Sequence, residues 1–260
     1  MPLRFGTETA SGIRIGDETP AGIAIGDQVV YQAGPPPVQF ALYMNQVSGP
    51  RDTLFTVDRT TGVVTQHVQM NVRATSGLAW DGTNAFTLDR DDYLLRLNLA
   101  TGVATRVGSA TNYGISGLQG TGLAWDDTTM YMTGTDSALY TLDRTTGVAT
   151  LVGRLGHTPT GDLTWDGTNL YILGSDALYT VNRTTGAVTR VGSASAFGVG
   201  AIFVDGLAWD GTNLFMCTRI FSPALYTVSR TTGLATQAGS ATNFGQRSAP
   251  DPSALLWAPV

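Results

Sequence analysis

Lysine is absent from this chain of 260 residues, cysteine occurs once and histidine twice. Each scarcity removes a class of function. The basic charge is 15 residues against 20 acidic ones, for a formal charge of -5. That balance argues against a dedicated nucleic-acid surface, which needs a concentrated basic patch. A single cysteine excludes an internal disulfide, and Cys217, within LFMCT, reads as a small buried hydrophobe. His67 (in TQHVQM) and His157 (in RLGHTPTG) fall in different segments without repeated counterparts, so neither reads as catalytic or metal-binding. No G-x-S-x-G, H-E-x-x-H, P-loop or dinucleotide fingerprint occurs. The expectation is a non-enzymatic protein without cofactor or metal. MPLRFGTETA has no apolar run of signal-peptide length, and no stretch is long enough to span a membrane as a helix, so synthesis in the cytosol is expected.

What is present is repetition. GLAWDGTNAF begins at Gly77, GLAWDDTTMY at Gly122, DLTWDGTNLY at Asp162 and GLAWDGTNLF at Gly206. A shortened echo, ALLWAPV, occupies residues 254–260. All 5 tryptophans fall in this frame: Trp80, Trp125, Trp165, Trp209 and Trp257. One unit, DLTWDGTNLYILGSDALYTVNRTTGAVTRVG, contains four short apolar runs separated by DGTN, GSD and RTTG. The runs are of strand length and rich in branched or aromatic residues, and Asp-Gly and Thr-Gly form tight turns. No sustained helical period appears. Each unit is therefore a four-stranded antiparallel meander, with tryptophans 40 to 48 residues apart. That is the period of a β-propeller blade.

The pieces at the two ends are complementary. Residues 40–68 supply the second, third and fourth strands of a unit, while SALLW, residues 253–257, supplies only a first strand. Together they complete a fifth blade and leave no open sheet edge. The predicted fold is all-β: a five-bladed β-propeller over residues 36–260, closed by the C-terminal strand, after a small N-terminal β module over residues 1–35. An open solenoid is the competing architecture. In each GLAW strand the leucine and tryptophan point to one side and the small residues to the other, so large residues of one blade meet small ones of the next. Core packing between blades is the main role expected of the tryptophans.

Residues 1–35 carry ten-residue echoes, LRFGTETAS, GIRIGDETPA and GIAIGDQVVY. They predict a two- or three-strand sheet too small for its own core, with GPPP, residues 34–37, as a stiff join. A small module on such a join suggests attachment, with packing on the propeller or disorder as the alternatives.

In a meander, DGTN and RTTG share one face. The opposite face carries the more variable links, which is how a regular scaffold acquires a site. Three interblade links, GSATNYG, GSASAFG and GSATNFG, repeat an aromatic beside small polar residues. Asn112, Tyr113, Phe197, Asn243 and Phe244 are therefore the candidate ligand-binding residues: the ring meets the apolar face of a sugar and the amide reads its hydroxyls. The competing role is to plug the groove between blades. Asp81, Asp126, Asp166 and Asp210 are expected to hold the DGTN turns. Arg59, Arg144, Arg183 and Arg230 in the RTTG turns either cover apolar strand edges or form a rim for a partner. DRDD, residues 89–92, gathers oxygen ligands but lacks the ordered spacing of a calcium loop.

The repeat unit resembles blades of the NHL and related propeller families, lectin-like propellers among them. The resemblance spans residues 41–260 and implies a GLAW-type strand next to the central channel and binding at the face of interblade links. The chain departs from that pattern in having five blades where six are usual, and it lacks the basic face of RNA-binding members. The segment GIRIGDETPAGIAIGDQVVY resembles short modules at the start of bacteriophage tail and virion proteins, on Gly16, Asp17, Gly26, Asp27, Val30 and Tyr31. That resemblance implies a virion protein assembled in the bacterial cytoplasm. Its N-terminal module would dock on other virion or tail proteins, and its propeller would recognise a host-surface glycan or protein. The alternative is a free, extracellular lectin-like or protein-binding propeller. Neither reading involves nucleic acid or membrane insertion.

Overall fold

A computed structural model describes residues 3–5, 8–10, 22–25, 28–31, 38–46, 52–156, 159–193, 195–199, 203–219, 223–240 and 252–260. The chain separates into two units, Met1–Gln39 and Phe40–Val260. In the first unit, Leu3–Phe5 pairs with Glu8–Ala10, and Gly22–Ile25 pairs with Gln28–Tyr31, each antiparallel. These are two separate hairpins rather than one sheet. Only two residues separate the strands within each pair, so local closure has the smallest entropic cost. The echo GIRIG and the positions Gly16, Asp17, Gly26 and Asp27 lie outside the described residues.

The second unit is a five-bladed β-propeller of four-stranded antiparallel blades. Blade 1 comprises Ala74–Trp80, Ala85–Asp89, Leu94–Leu97 and Ala104–Arg106. Blade 2 comprises Gly120–Trp125, Met130–Gly134, Ala138–Leu142 and Ala149–Arg154. Blade 3 comprises Pro159–Trp165, Leu170–Gly174, Leu178–Val181 and Val188–Arg190. Blade 4 comprises Phe203–Trp209, Leu214–Arg219, Leu225–Val228 and Ala235–Gln237. Blade 5 joins the chain's last strand, Pro252–Pro259, to Phe40–Gln46, Thr53–Val57 and Val64–Gln69. At that seam Trp257 faces Leu42 and Pro259 faces Phe40.

The alternation of large and small residues builds the core. Five hydrophobic clusters occupy the five interfaces between blades. Ala79 of blade 1 packs with Leu123 and Trp125 of blade 2, and Ala208 of blade 4 with Leu255 and Trp257 of blade 5. Each leucine so buried contributes roughly 1.5–3 kcal/mol. The turns are set by side chains. Asp166 Oδ1 accepts the amides of Thr168 and Asn169 at 2.9 and 2.7 Å, and Asn182 Oδ1 those of Thr184 and Thr185 at 2.9 and 3.0 Å. The blades also fit closely at their edges. Gly192 has φ 62, and a Cβ there would lie 2.3 Å from the Thr232 carbonyl oxygen of the next blade. Both the dihedral and the approach require glycine. Among the described residues no helix is long and apolar enough to cross a membrane.

Candidate functional site

The inner strands of blades 1 to 4 end in their tryptophans, with the DGTN-type turn beginning at the next residue, and in blade 5 the strand runs two residues past Trp257 to Pro259. In a propeller, strand ends lie at the rim of the axial channel, so five such ends bring five indoles together. Each blade contributes its triplet to one depression of about 310 Å³: Leu78-Ala79-Trp80, Leu123-Ala124-Trp125, Leu163-Thr164-Trp165, Leu207-Ala208-Trp209 and Leu255-Leu256-Trp257. Asp127, Asp166 and Gly167 complete the lining, and no basic side chain enters it. All five tryptophans are half-buried. They pack between blades as expected and also line this mouth.

Asp127 distinguishes one blade. Blade 2 reads DDTT where blades 1, 3 and 4 read DGTN, so Asp127 takes the place of Gly82, Gly167 and Gly211. It adopts their left-handed backbone, with φ 73 against 91, 90 and 92. For a residue with a Cβ this conformation costs about 1–2 kcal/mol. Its carboxylate Oδ2 accepts the Trp165 indole N–H at 3.2 Å. Among the described residues this is the only mouth indole with a hydrogen-bond acceptor, because the equivalent turn residues of blades 1, 3 and 4 are glycines.

The rim is held by a repeated clamp. Arg144, Arg183, Arg230 and Arg59 lie over Trp125, Trp165, Trp209 and Trp257 of their own blades, 4.0 to 4.3 Å from the ring centres. Each guanidinium also pairs with an aspartate of the preceding blade: Asp81, Asp126, Asp166 and Asp210, respectively. The RTTG and DGTN turns therefore do share a face, and the arginines stack on the tryptophans. Each aspartate works twice, one oxygen holding its own turn and the other the arginine. Burial pushes the carboxyls of Asp126 and Asp166 up, but the bonds from turn residues and from Arg183 and Arg230 bring both below the ordinary value.

Beneath the mouth the axis is crossed by Asp162. The other inner strands carry Gly77, Gly122, Gly206 and Ala254 at this place. The side chain is fully buried, and Oδ1 accepts the amides of Leu123 and Leu163 at 3.1 and 2.9 Å. The amides of Leu255 and Leu78 add weaker support, while Oδ2 has no hydrogen-bond partner. Burial raises this carboxyl well above its ordinary range, against the pull of these amides. Four blades thus turn backbone N–H groups toward one acid.

The residues expected to bind ligand are placed elsewhere. Tyr113 and Phe197 have no exposed surface and sit in the clusters between blades 1 and 2 and between blades 3 and 4. Both occupy left-handed backbone, at φ 52 and 55. Asn112 donates to Asp92 Oδ2 at 3.0 Å. Asn243, Phe244 and His157 lie outside the described residues. His67 Nε2 lies 2.9 Å from the Leu99 carbonyl. Asp89 Oδ1 accepts the amides of Asp91 and Tyr93, which makes the DRDD stretch a side-chain-held turn. Among the described residues no group of three or more histidines, cysteines or acids is arranged to hold a metal. Sequence reasoning favoured the variable face and passed over the mouth. The signal was present: a tryptophan at or within two residues of the end of every inner strand.

The class these features define is the five-bladed β-propeller. No protein-family model matches the chain, and no curated protein matches it. Solved structures do share the fold. A chain of the nidogen/laminin complex has 14% identity and a TM-score of 0.56, covering 85% of this chain and 98% of that one. A protein of unknown function from Bacteroides thetaiotaomicron VPI-5482 has 13% identity and a TM-score of 0.54, covering 92% and 77%. At these identities the likeness is one of fold. It relates the chain distantly to several unrelated propellers and singles out neither NHL-type nor phage-tail proteins.

Proposed function

We propose that this chain is a non-enzymatic, lectin-like binding propeller that acts as a free module and takes a glycan at its tryptophan-ringed mouth. The observation that carries this reading is the convergence of five half-buried tryptophans, one per blade, on a single depression. The half-buried indoles give the mouth apolar surface for a sugar ring, and indole N–H groups without acceptors suit sugar hydroxyls. Asp127 adds an acceptor held at a backbone cost that the turn itself does not require. The particle-borne reading rests on the resemblance of Gly16, Asp17, Gly26, Asp27, Val30 and Tyr31 alone, and no feature of the propeller adds to it.

The five mouth residues are the chain's whole tryptophan complement, so intrinsic emission reports on this site directly. A glycan array on the intact chain, followed by emission titration of its hits, tests the proposal. Saturable binding with an emission change, weakened roughly tenfold in Asp127→Gly, is expected. Glycan binding that leaves the emission and the Asp127→Gly affinity unchanged would move the site away from the mouth. An array without a hit would overturn the glycan reading.

A further inference from the structure

The ring of clamps is broken at one interface. Blade 1 carries Leu99 where the other blades carry the arginine, and blade 5 carries Ala258 where the others carry the aspartate. Both halves are missing from the same place, the closing seam between blades 5 and 1. Leu99 packs in the cluster that includes Trp80, and among the described residues no guanidinium covers Trp80. A groove of about 650 Å³ opens here, more than twice the volume of the mouth at about 310 Å³. Trp80, Leu97, Leu99, Val103 and Pro259 give it an apolar side.

Arg96 stands on its wall. By strand register the equivalent residues of the other blades are threonines: Thr56, Thr141, Thr180 and Thr227. Arg96 is exposed and forms no ion pair among the described residues. Its only aromatic contact, Phe86, lies 6.0 Å away, at the limit of a useful cation–π interaction. Blade 1 has thus lost the clamp arginine and gained one that forms no ion pair among the described residues, with Asp81 of the hollow on its other side taken by Arg144.

We propose that the seam groove is a second binding site, for an amphipathic organic anion. Its carboxylate pairs with Arg96, and its flat apolar body lies on Trp80 and Leu99, where a guanidinium lies in the other four blades. The groove shares Trp80 with the mouth, but its charge contact, Arg96, and Leu99 lie outside the mouth, so the proposal does not rest on glycan binding there.

The test is calorimetric titration of the intact chain with 2-naphthoate, beside its neutral amide. Saturable binding of the acid is expected, weakened roughly tenfold or more by Arg96→Thr, which installs the residue of the other blades. The double variant Leu99→Arg with Ala258→Asp rebuilds the clamp and should abolish binding. If that variant does not fold, Arg96→Thr decides alone. No binding at millimolar naphthoate, equal affinity for the amide, or an unchanged affinity in Arg96→Thr would overturn the proposal. So would self-association of the chain, read by sedimentation, that Leu99→Arg abolishes, since the occupant would then be a second copy.

Discussion

The guanidinium carbon of Arg144 lies 4.0 Å from the centre of the Trp125 ring, and the same side chain reaches Asp81 in the blade before. One arginine therefore holds an aromatic of its own blade against a turn of its neighbour. The two ends of the ion pair differ in environment. The Asp81 side chain is 3% exposed and that of Arg144 39%. The acceptor has lost its water and depends on the protein for compensation, whereas the donor keeps part of its hydration.

That asymmetry sets the expected effect of Arg144→Leu, the residue blade 1 carries. Breaking a fully buried pair costs about 3–5 kcal/mol. Here the arginine is half exposed, and Asp81 Oδ1 still accepts the amides of Thr83 and Asn84 at 2.9 and 2.7 Å. A loss of about 2 kcal/mol is expected in urea unfolding. Combining it with Asp81→Asn, which keeps the turn acceptor and removes the charge, should cost less than the sum by about 1 kcal/mol. Strict additivity in that cycle would show that the clamp contributes nothing to joining the blades.

Asp127→Gly should have the opposite sign. Asp127 sits at φ 73, in a turn where three other blades use glycine. Relief of the left-handed backbone is worth about 1–2 kcal/mol, offset in part by the greater entropy of an unfolded glycine. Its bond to Trp165 is exposed and adds little. A net gain of about 0.5–1 kcal/mol is expected in thermal or urea unfolding. A destabilised variant would mean that the carboxylate serves the fold rather than a ligand.

The architecture was legible because repetition amplifies weak signals. One DGTN turn says little, but three, with DDTT in the same place in blade 2, each following a tryptophan and each followed by RTTG or its variant, point to strand number, order and face. The closing strand was legible for the same reason, since SALLW matched the one strand that residues 40–68 lacked. The site was less legible. Loop variability drew attention to Asn112, Tyr113 and Phe197, but the structure buries the rings of Tyr113 and Phe197 between blades and ties the Asn112 amide to Asp92. Variation marks where side chains differ, not which of them reach the surface. The clamp was hidden because its arginine and aspartate come from different blades, and Asp162 because its partners are backbone amides, which sequence does not display.

Tyr113 offers a check on the interblade aromatics. Its ring fills the cleft between blades 1 and 2, and its buried hydroxyl is poorly satisfied, with only weak support from the Gly120 amide. Burial, with Asp92 and Asp89 nearby, pushes the phenol far above its ordinary range. Tyr113→Phe removes a poorly satisfied polar group and keeps the packing, so stability should be unchanged or up to about 1 kcal/mol higher. Tyr113→Ala should cost about 3–5 kcal/mol. If the phenylalanine variant instead bound a glycan less well than the parent chain, Tyr113 would be a ligand contact after all.

Asp162 predicts an unusual dependence on pH. Most carboxylates that shift here do so downward. Asp58, for example, is brought to about 2 by the Thr60 hydroxyl and the amides of Thr61 and Thr60. Such groups stabilise the fold above their unfolded value, and that support is lost as pH falls through the folded one. Asp162 is shifted upward by burial, so its sign is reversed. Its contribution is fully present below the unfolded value of about 3.9 and is lost as pH rises toward the folded value, at up to about 1.4 kcal/mol per pH unit. The stability of the parent chain relative to Asp162→Gly, the residue of blades 1, 2 and 4, should therefore fall as pH rises from about 4. The other acids are common to both proteins and cancel in the difference. Urea unfolding of the pair between acid and neutral pH measures it. A difference that stays constant or grows with pH would mean that the amides of Leu123, Leu163, Leu255 and Leu78 outweigh the burial, and that the axis of this propeller holds a carboxylate anion.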